Sequence, residues 1–277
     1  LGGVTLQVGT TVANTGSMSV TGRNVNMTVS GDGSGTLAVT GSGNQTITAN
    51  GNEIRFENQT GGNIGVSVGS GLQSFTTTSV VPGDGNMFVL ASPLGTGTGG
   101  VSLSTGTGGS QNLNLKGGLR VESQIGGNAT ASAVIAADNG QTISAKYVEV
   151  VSNGPADAII FNNNPGDNTS TQSITTSGQN ASNEGLLLRA VAAGSQARIQ
   201  NGSTGAQNIT VNDADVFRVI GGGTNSNAEL YSSGNQTILV QSTTRNNLIN
   251  VGGVTAAGQS FVHGKNQSVT AGTAGQN

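Results

Sequence analysis

Aliphatic and small polar residues alternate along this chain in short runs of four to six, and glycine, asparagine or aspartate interrupts every run. "QTITA" at 45–49 is followed by "EIRFE" at 53–57 and "IGVSV" at 64–68, with "NG" and "NQTGGN" between them. The same triplet of segments returns as "QNLNL", "LRVES" and "ASAVIA" after Gln111, and as "QNITV", "VFRVI" and "AELYS" after Gln207. The period is two, the period of a strand, and no stretch sustains the 3.6-residue period of a helix. Glycine, asparagine and aspartate between segments tolerate the left-handed backbone that sharp corners need.

The first segment of each triplet is also a repeat. "GNQTIT" at 43–48 returns as "GNQTIL", "KNQSVT", "NGQTIS", "TQSITT" and "AQNITV". Aligned on the motif, Gln45, Gln73, Gln111, Gln141, Gln172, Gln207, Gln236 and Gln267 are equivalent, with Met18 of "SMSVT" as a diverged earlier copy. From Met18 the spacings are 27, 28, 38, 30, 31, 35, 29 and 31 residues, and the extra length falls in Gly/Asn/Ser-rich stretches. Three strands per interval without two-residue hairpin turns suit a parallel β-solenoid, in which each coil stacks its strands on those of the coil below. The sequence thus predicts an all-β parallel solenoid of about nine coils of ~30 residues. At ~4.8 Å per coil this is a rod roughly 43 Å long. It reads as one domain over residues 1–277, with partial coils at 1–17 and 267–277.

Alternation then assigns side-chain directions. Val20, Ile47, Phe75, Leu113, Ile143, Ile174, Ile209, Ile238 and Val269 are expected to form one inward aliphatic stack. The second strands add Ile54 with Phe56, Leu119 with Val121 and Phe217 with Val219, leaving Arg55, Arg120, Glu149, Arg189 and Arg218 outside. The motif glutamine lies two residues before the aliphatic and also points inward. A buried amide must be hydrogen-bonded or costs about 1–3 kcal/mol, and pairing with the identical amide one coil away supplies the bond, as in stacked amide ladders. A turn residue with an exposed side chain is the alternative. Outward beside the stack run Ser19/Thr21, Thr46/Thr48, Ser74/Thr76, Asn112/Asn114, Thr142/Ser144, Ser173/Thr175, Asn208/Thr210, Thr237/Leu239 and Ser268/Thr270, a ladder of hydroxyls and amides.

These Gly/Asn/Ser/Thr-rich coils, carrying "GNQTI" at strand starts, resemble the repeat regions of bacterial filamentous haemagglutinin-type exoproteins over Met18–Asn277. That resemblance implies an exported, right-handed β-helix at the cell surface, serving as an adhesin shaft or fibre, and it brings no catalytic residues with it. No match to the family's N-terminal secretion domain is visible.

Composition removes several alternatives. With 10 Lys+Arg against 13 Asp+Glu the net charge is −3, which lacks the basic footprint of a nucleic-acid binder. Aromatics are 3% with no Trp, a poor basis for a stacking platform. Cysteine is absent, so disulfides and thiol-ligated metals are excluded. No apolar run approaches the ~20 residues of a membrane helix, and no signal peptide is visible at the start.

Candidate chemistry is thin. Asp213 and Asp215 in "NDAD", with Arg218 after them, are the nearest thing to the clustered carboxylates of pectin-cleaving β-helices, and "ARIQ" at 197–200 is a faint echo of the polygalacturonase "RIK". No second histidine accompanies His263, so neither a zinc site nor a triad is indicated. "GDGSG" at 31–35, "PGDGN" at 82–86 and "NPGDN" at 164–168 offer one Asp each, short of the six to eight oxygens calcium takes. No cofactor, metal or catalytic residue is predicted. "NQT" at 44–46 and 235–237 is a glycosylation sequon that the repeat itself also accounts for.

The ends read as open. The head looks like second and third strands, the tail like a first strand, and together they make 28 residues, within the observed spacings. Val4, Leu6, Val8 and Val269 are the candidate assembly ends. The expected partner is the chain itself, stacked head to tail or continued in a longer shaft. A ligand-binding solenoid that meets ice or polysaccharide through its Ser/Thr/Asn face is the alternative, and an enzyme is third.

Overall fold

The computed structural model describes residues 4–6, 11–30, 33–59, 61–91, 99–123, 131–162, 169–242, 248–253 and 258–272. Side chains are described from residue 12 onward. Among these residues there are 27 strands, all paired in parallel, and no helix. They sort into three nine-stranded sheets visited in rotation, so each strand pairs with the third strand before it and the third after it.

Sheet A holds Val4–Leu6, Val25–Val29, Glu53–Asn58, Asn86–Ala91, Leu119–Ser123, Val148–Ser152, Glu184–Ala190, Val216–Gly221 and Leu248–Gly253. Sheet B holds Thr11–Asn14, Gly35–Val39, Ile64–Val68, Val101–Thr105, Ala133–Ala137, Asp157–Asn162, Gln196–Asn201, Asn227–Ser232 and Gln259–Gly264. Sheet C, which carries the repeated motif, holds Met18–Gly22, Gln45–Ala49, Leu72–Thr77, Ser110–Asn114, Gln141–Ala145, Gln172–Thr176, Gln207–Asn212, Gln236–Gln241 and Gln267–Gly272.

The chain is therefore a parallel β-solenoid with three strands per coil. It makes about 7 turns, fewer than the nine coils the spacings predict. Each of the three sheets nevertheless counts nine strands among the described residues.

The core is a set of columns. In sheet A, Ile54 stands on Val25 and under Met87, and Phe56 stands on Met27 and under Val89. Leu37, Val66, Leu103, Ile135, Ile160, Ile199 and Leu230 do the same in sheet B, and each is buried. Phe56 and Phe75 meet edge to face across the sheets, with ring centroids 5.9 Å apart. Stacking at the strand spacing also explains the glycine before the motif. A Cβ on Gly71 would collide with the carbonyl oxygen of Gly43 one rung below, because the corner backbone rests directly on its neighbour.

Candidate functional site

Sheet C presents its repeated glutamines to the interior. Gln45, Gln73, Gln111, Gln141, Gln172, Gln207 and Gln236 are all buried, and consecutive copies are register partners. Each Nε2 donates to the Oε1 of the glutamine one rung earlier: Gln73 to Gln45 at 2.8 Å, Gln111 to Gln73 at 2.7 Å, Gln141 to Gln111 and Gln172 to Gln141 at 2.8 Å. Gln207 to Gln172, Gln236 to Gln207 and Gln267 to Gln236 follow at 2.6 Å.

In five of these glutamines an amide hydrogen also goes to a backbone carbonyl of a sheet B strand. Gln45 and Gln73 donate to Leu37 and Val66 of their own turn, whereas Gln141, Gln172 and Gln207 reach Phe161, Gln200 and Tyr231 of the next turn. Two features end the ladder differently. Met18 takes the glutamine's place in the first rung and offers no amide. At the other end Gln267 is exposed, and its Oε1 has no partner among the described residues.

The aliphatic stack runs beside the ladder. Ile47, Phe75, Leu113, Ile143, Ile174, Ile209 and Ile238 are buried and in register. Val20 is only half-buried, and Val269, expected inside, is 51% exposed. Val269 does continue the column above Ile238; it is wet because no described residue lies on top of it. In the same last rung Val251 is 43% exposed. Of the other positions named for assembly, Val4 and Leu6 pair in register with Val25 and Met27, and Val8 lies outside the described residues. The outward Ser/Thr/Asn positions of sheet C form two columns in register, half-buried or exposed throughout.

Charge gathers on the outer face of sheet A. Arg55, Arg120, Glu149 and Arg218 share one outward column, while Arg189 stands in the next. Glu149, expected outside, is buried, and so are Glu122 and Glu184. Their six carboxylate oxygens are all taken. Arg120 donates to Glu122 Oε2 at 2.5 Å and to Glu149 Oε2 at 3.2 Å. Arg218 donates to Glu184 Oε1 at 2.8 Å, Asn153 to Glu122 Oε1 at 2.6 Å, and Asn180 to both Glu149 Oε1 and Glu184 Oε2.

Burial works against the Arg120 charge, but its hydrogen bond to Glu122 and the carboxylates of Glu122 and Glu149 hold its pKa above the ordinary arginine value. Burial, with the Glu149 charge beside it, raises the Tyr147 hydroxyl. This arrangement clasps the segment around Asn180 onto the sheet.

Asp213 is a corner residue with φ 52° and accepts from Ser242, whereas Arg218 is bound to Glu184. Asp84 of "PGDGN" accepts from Ser79 in a turn between two positive-φ glycines, Gly83 and Gly85. The two Asp-bearing loops at 31–35 and 164–168 fall wholly or partly outside the described residues. Among the described residues no group of three His, Asp or Glu side chains is placed to hold a metal ion, and no helix is long and apolar enough to cross a membrane.

Sequence reading missed the outer face of sheet B. His263 packs against Tyr231 with the rings tilted by 53° and their centroids 4.6 Å apart, and it meets Phe261 edge-on at 6.3 Å. Its Nε2 lies 2.7 Å from Glu229 Oε1, and Arg198 reaches the other oxygen at 3.5 Å. Aligning the sheet B strands on one another would have exposed the cluster, since Tyr231 pairs with His263 and Glu229 with Phe261.

No family model matches the chain, and neither do the curated proteins or the solved structures.

Proposed function

We propose that the chain is a structural shaft segment of an extracellular, right-handed bacterial β-solenoid fibre, extended by stacking on its open last rung and serving adhesion or matrix building. The observation that carries this reading is the inner side of that rung. Val251 and Val269 are 43% and 51% exposed, where Val219 and Ile238 directly below them are 0% and 1%. Each valine covered would contribute about 1.5–3 kcal/mol before the cost of association, and the free strand edges add backbone hydrogen bonds.

The head of a second copy suits this surface. Its Val4, Leu6, Val12 and Val20 hold the register positions that continue Ile249, Val251, Val262 and Val269. A further rung of a longer chain would do so equally. In either case the contact is heterologous and propagates.

Electron microscopy and sedimentation of the wild-type chain against Val251→Asp/Val269→Asp test the proposal. Rods that lengthen with concentration and withstand 1 M salt are expected for wild type, with the double variant folded but short. A wild-type monomer at high concentration would defeat the reading.

One observation favours a second reading. The hydroxyl and amide columns of sheet C are in register and carry no charge. Such a face would suit ice or a neutral polysaccharide, and thermal hysteresis lost in Thr142→Leu would support it.

A further inference from the structure

Between sheets C and A, residues 50–52 or 146–147 suffice to turn the corner, whereas residues 78–85 make a longer loop. That loop is held in place. The Val81 amide donates to Ser79 Oγ at 3.3 Å, the Asp84 amide to the Val81 carbonyl at 3.1 Å, and Asn86 Nδ2 to the Gly83 carbonyl at 2.6 Å. Its tip nevertheless turns apolar side chains to solvent, with Val80 88% and Val81 58% exposed. Together with the corners of the next two rungs it borders a cavity of about 380 Å³, a volume within the range of small-ligand sites.

Two lysines line this cavity, Lys116 and Lys146. Each follows a register partner, Asn114 or Ser144, by two residues, so they stand one rung, ~4.8 Å, apart. Arg55, Arg120, Arg198 and Arg218 are each paired with a glutamate. Neither lysine has an ion-pair or hydrogen-bond partner among the described residues. Tyr147 lines the cavity too, its ring laid over Gly118, where a Cβ would come within 2.1 Å of Cζ. Its hydroxyl has no hydrogen-bond partner among the described residues, and burial, with Glu149 beside it, keeps it protonated and able to donate. Asp84 is the one carboxylate of the lining; Ser79 donates to its Oδ2 at 3.3 Å, which leaves Oδ1 to accept. Two ammonium groups against one carboxylate give the lining a single net positive charge.

We propose that this cavity binds a hexuronate, a sugar ring that carries one carboxylate. The carboxylate accepts from Lys116, Lys146 and the Tyr147 hydroxyl through charge-assisted bonds. A ring hydroxyl donates to Asp84, and the CH face of the ring lies on Val81 and Pro82. A neutral sugar leaves the ammonium pair unmatched, and a phosphate ester brings a second negative charge towards Asp84. The proposal rests on the adhesive part of the function proposed above and gives it a ligand; it does not involve the end-to-end contact.

The test is isothermal titration calorimetry on the full chain, with glucuronate, glucose and glucose 6-phosphate as probes. Glucuronate should bind at least tenfold more tightly than either of the others. Lys116→Gln/Lys146→Gln should weaken it at least tenfold, whereas Lys265→Gln, away from the cavity, should leave it unchanged. All three lysines are exposed, and melting curves verify that these variants fold. Asp84→Asn removes the charge that rejects a dianion and should erase the preference over glucose 6-phosphate. Glucuronate binding no tighter than glucose overturns the proposal, as does binding that survives the double lysine substitution. A wild-type preference for glucose 6-phosphate overturns it as well and makes the cavity a general anion site. Sedimentation of the same samples keeps the two readings apart: rods that bind no glucuronate refute this ligand alone, and a monomer that binds it refutes only the stacking.

Discussion

Inside sheet C the same side chain returns in rung after rung, whereas on the outside of sheet B adjacent rungs rarely match. Gln141 stands between Gln111 and Gln172, and Ile143 between Leu113 and Ile174. Arg198 stands between Ile159 and Glu229. Interior positions must complement copies of themselves, because each is floor to one neighbour and ceiling to the next, and an amide or an aliphatic branch meets that demand. Exterior positions are free of it. Repetition therefore marks what stacking requires, and its loss on sheet B marks a surface shaped by something other than stacking.

The contrast is sharpest between adjacent residues. Ile143 is fully buried and Thr142 exposed. Ile143→Asp should cost at least 4 kcal/mol and abolish cooperative unfolding, because it buries an unpaired carboxylate. Thr142→Asp should stay within about 0.5 kcal/mol. Thermal denaturation followed by circular dichroism compares the two, and equal losses would mean that sheet C faces the other way.

The ladder comes next in size. Gln141→Ala leaves the Gln111 carbonyl and the Gln172 amide without their partners, an expected loss of about 2–3 kcal/mol. Gln200 points outward on sheet B and gives the ladder only its backbone carbonyl. Gln200→Ala should therefore shift the urea midpoint little, and a shift as large as that of Gln141→Ala would dissolve the distinction between the faces.

A gain is expected from Met18→Gln. Gln45 uses one of its two amide hydrogens, on Leu37, and a glutamine carbonyl below it could accept the other. One added bond contributes about 0.5–1.5 kcal/mol, offset in part by the lost thioether burial. The melting temperature should rise slightly, and a clear fall would show that the ladder tolerates no further member.

The smallest effect is on the outside. Burial, opposed by the Arg198 charge, raises the Asp157 carboxyl above the ordinary aspartate value. A carboxyl that binds its proton more tightly when folded contributes stability that is present in full below pH ~4 and lost as pH rises through the raised value. Asp157→Asn should thus stabilise the rod marginally at pH 7 and not at pH 3, as melting curves at the two pH values would show. A benefit at pH 3 would assign the effect to something other than charge.

Sequence and structure agree on the features that repetition encodes. The alternation and the recurring glutamine specify parallel strands, three to a coil, because stacking forces like onto like. The rest was hidden for physical reasons. Val269 carries the motif's aliphatic side chain like any other copy, but direction is local while cover depends on a rung above, so its exposure could not be read from its neighbours in sequence. Glu149 looked solvated because its donors, Arg120 and Asn180, lie 29 and 31 residues away. The aromatic cluster was invisible for the same reason: 3% aromatic residues is sparse along the chain, yet Tyr231 and His263 are adjacent across it.

Every ladder bond runs the same way, with the later glutamine donating to the earlier one. Amide dipoles joined head to tail add, as the peptide dipoles of an α-helix do at about 3.5 D each, and neighbours in such a chain polarise one another. The solenoid thus carries an axial electric moment in its interior, its positive pole at Gln45 and its negative pole at the Gln267 carbonyl. Where copies stack, that carbonyl would meet the thioether of Met18 rather than an amide. A fibre of this protein would then be a series of separate dipoles, each one subunit long, all pointing the same way.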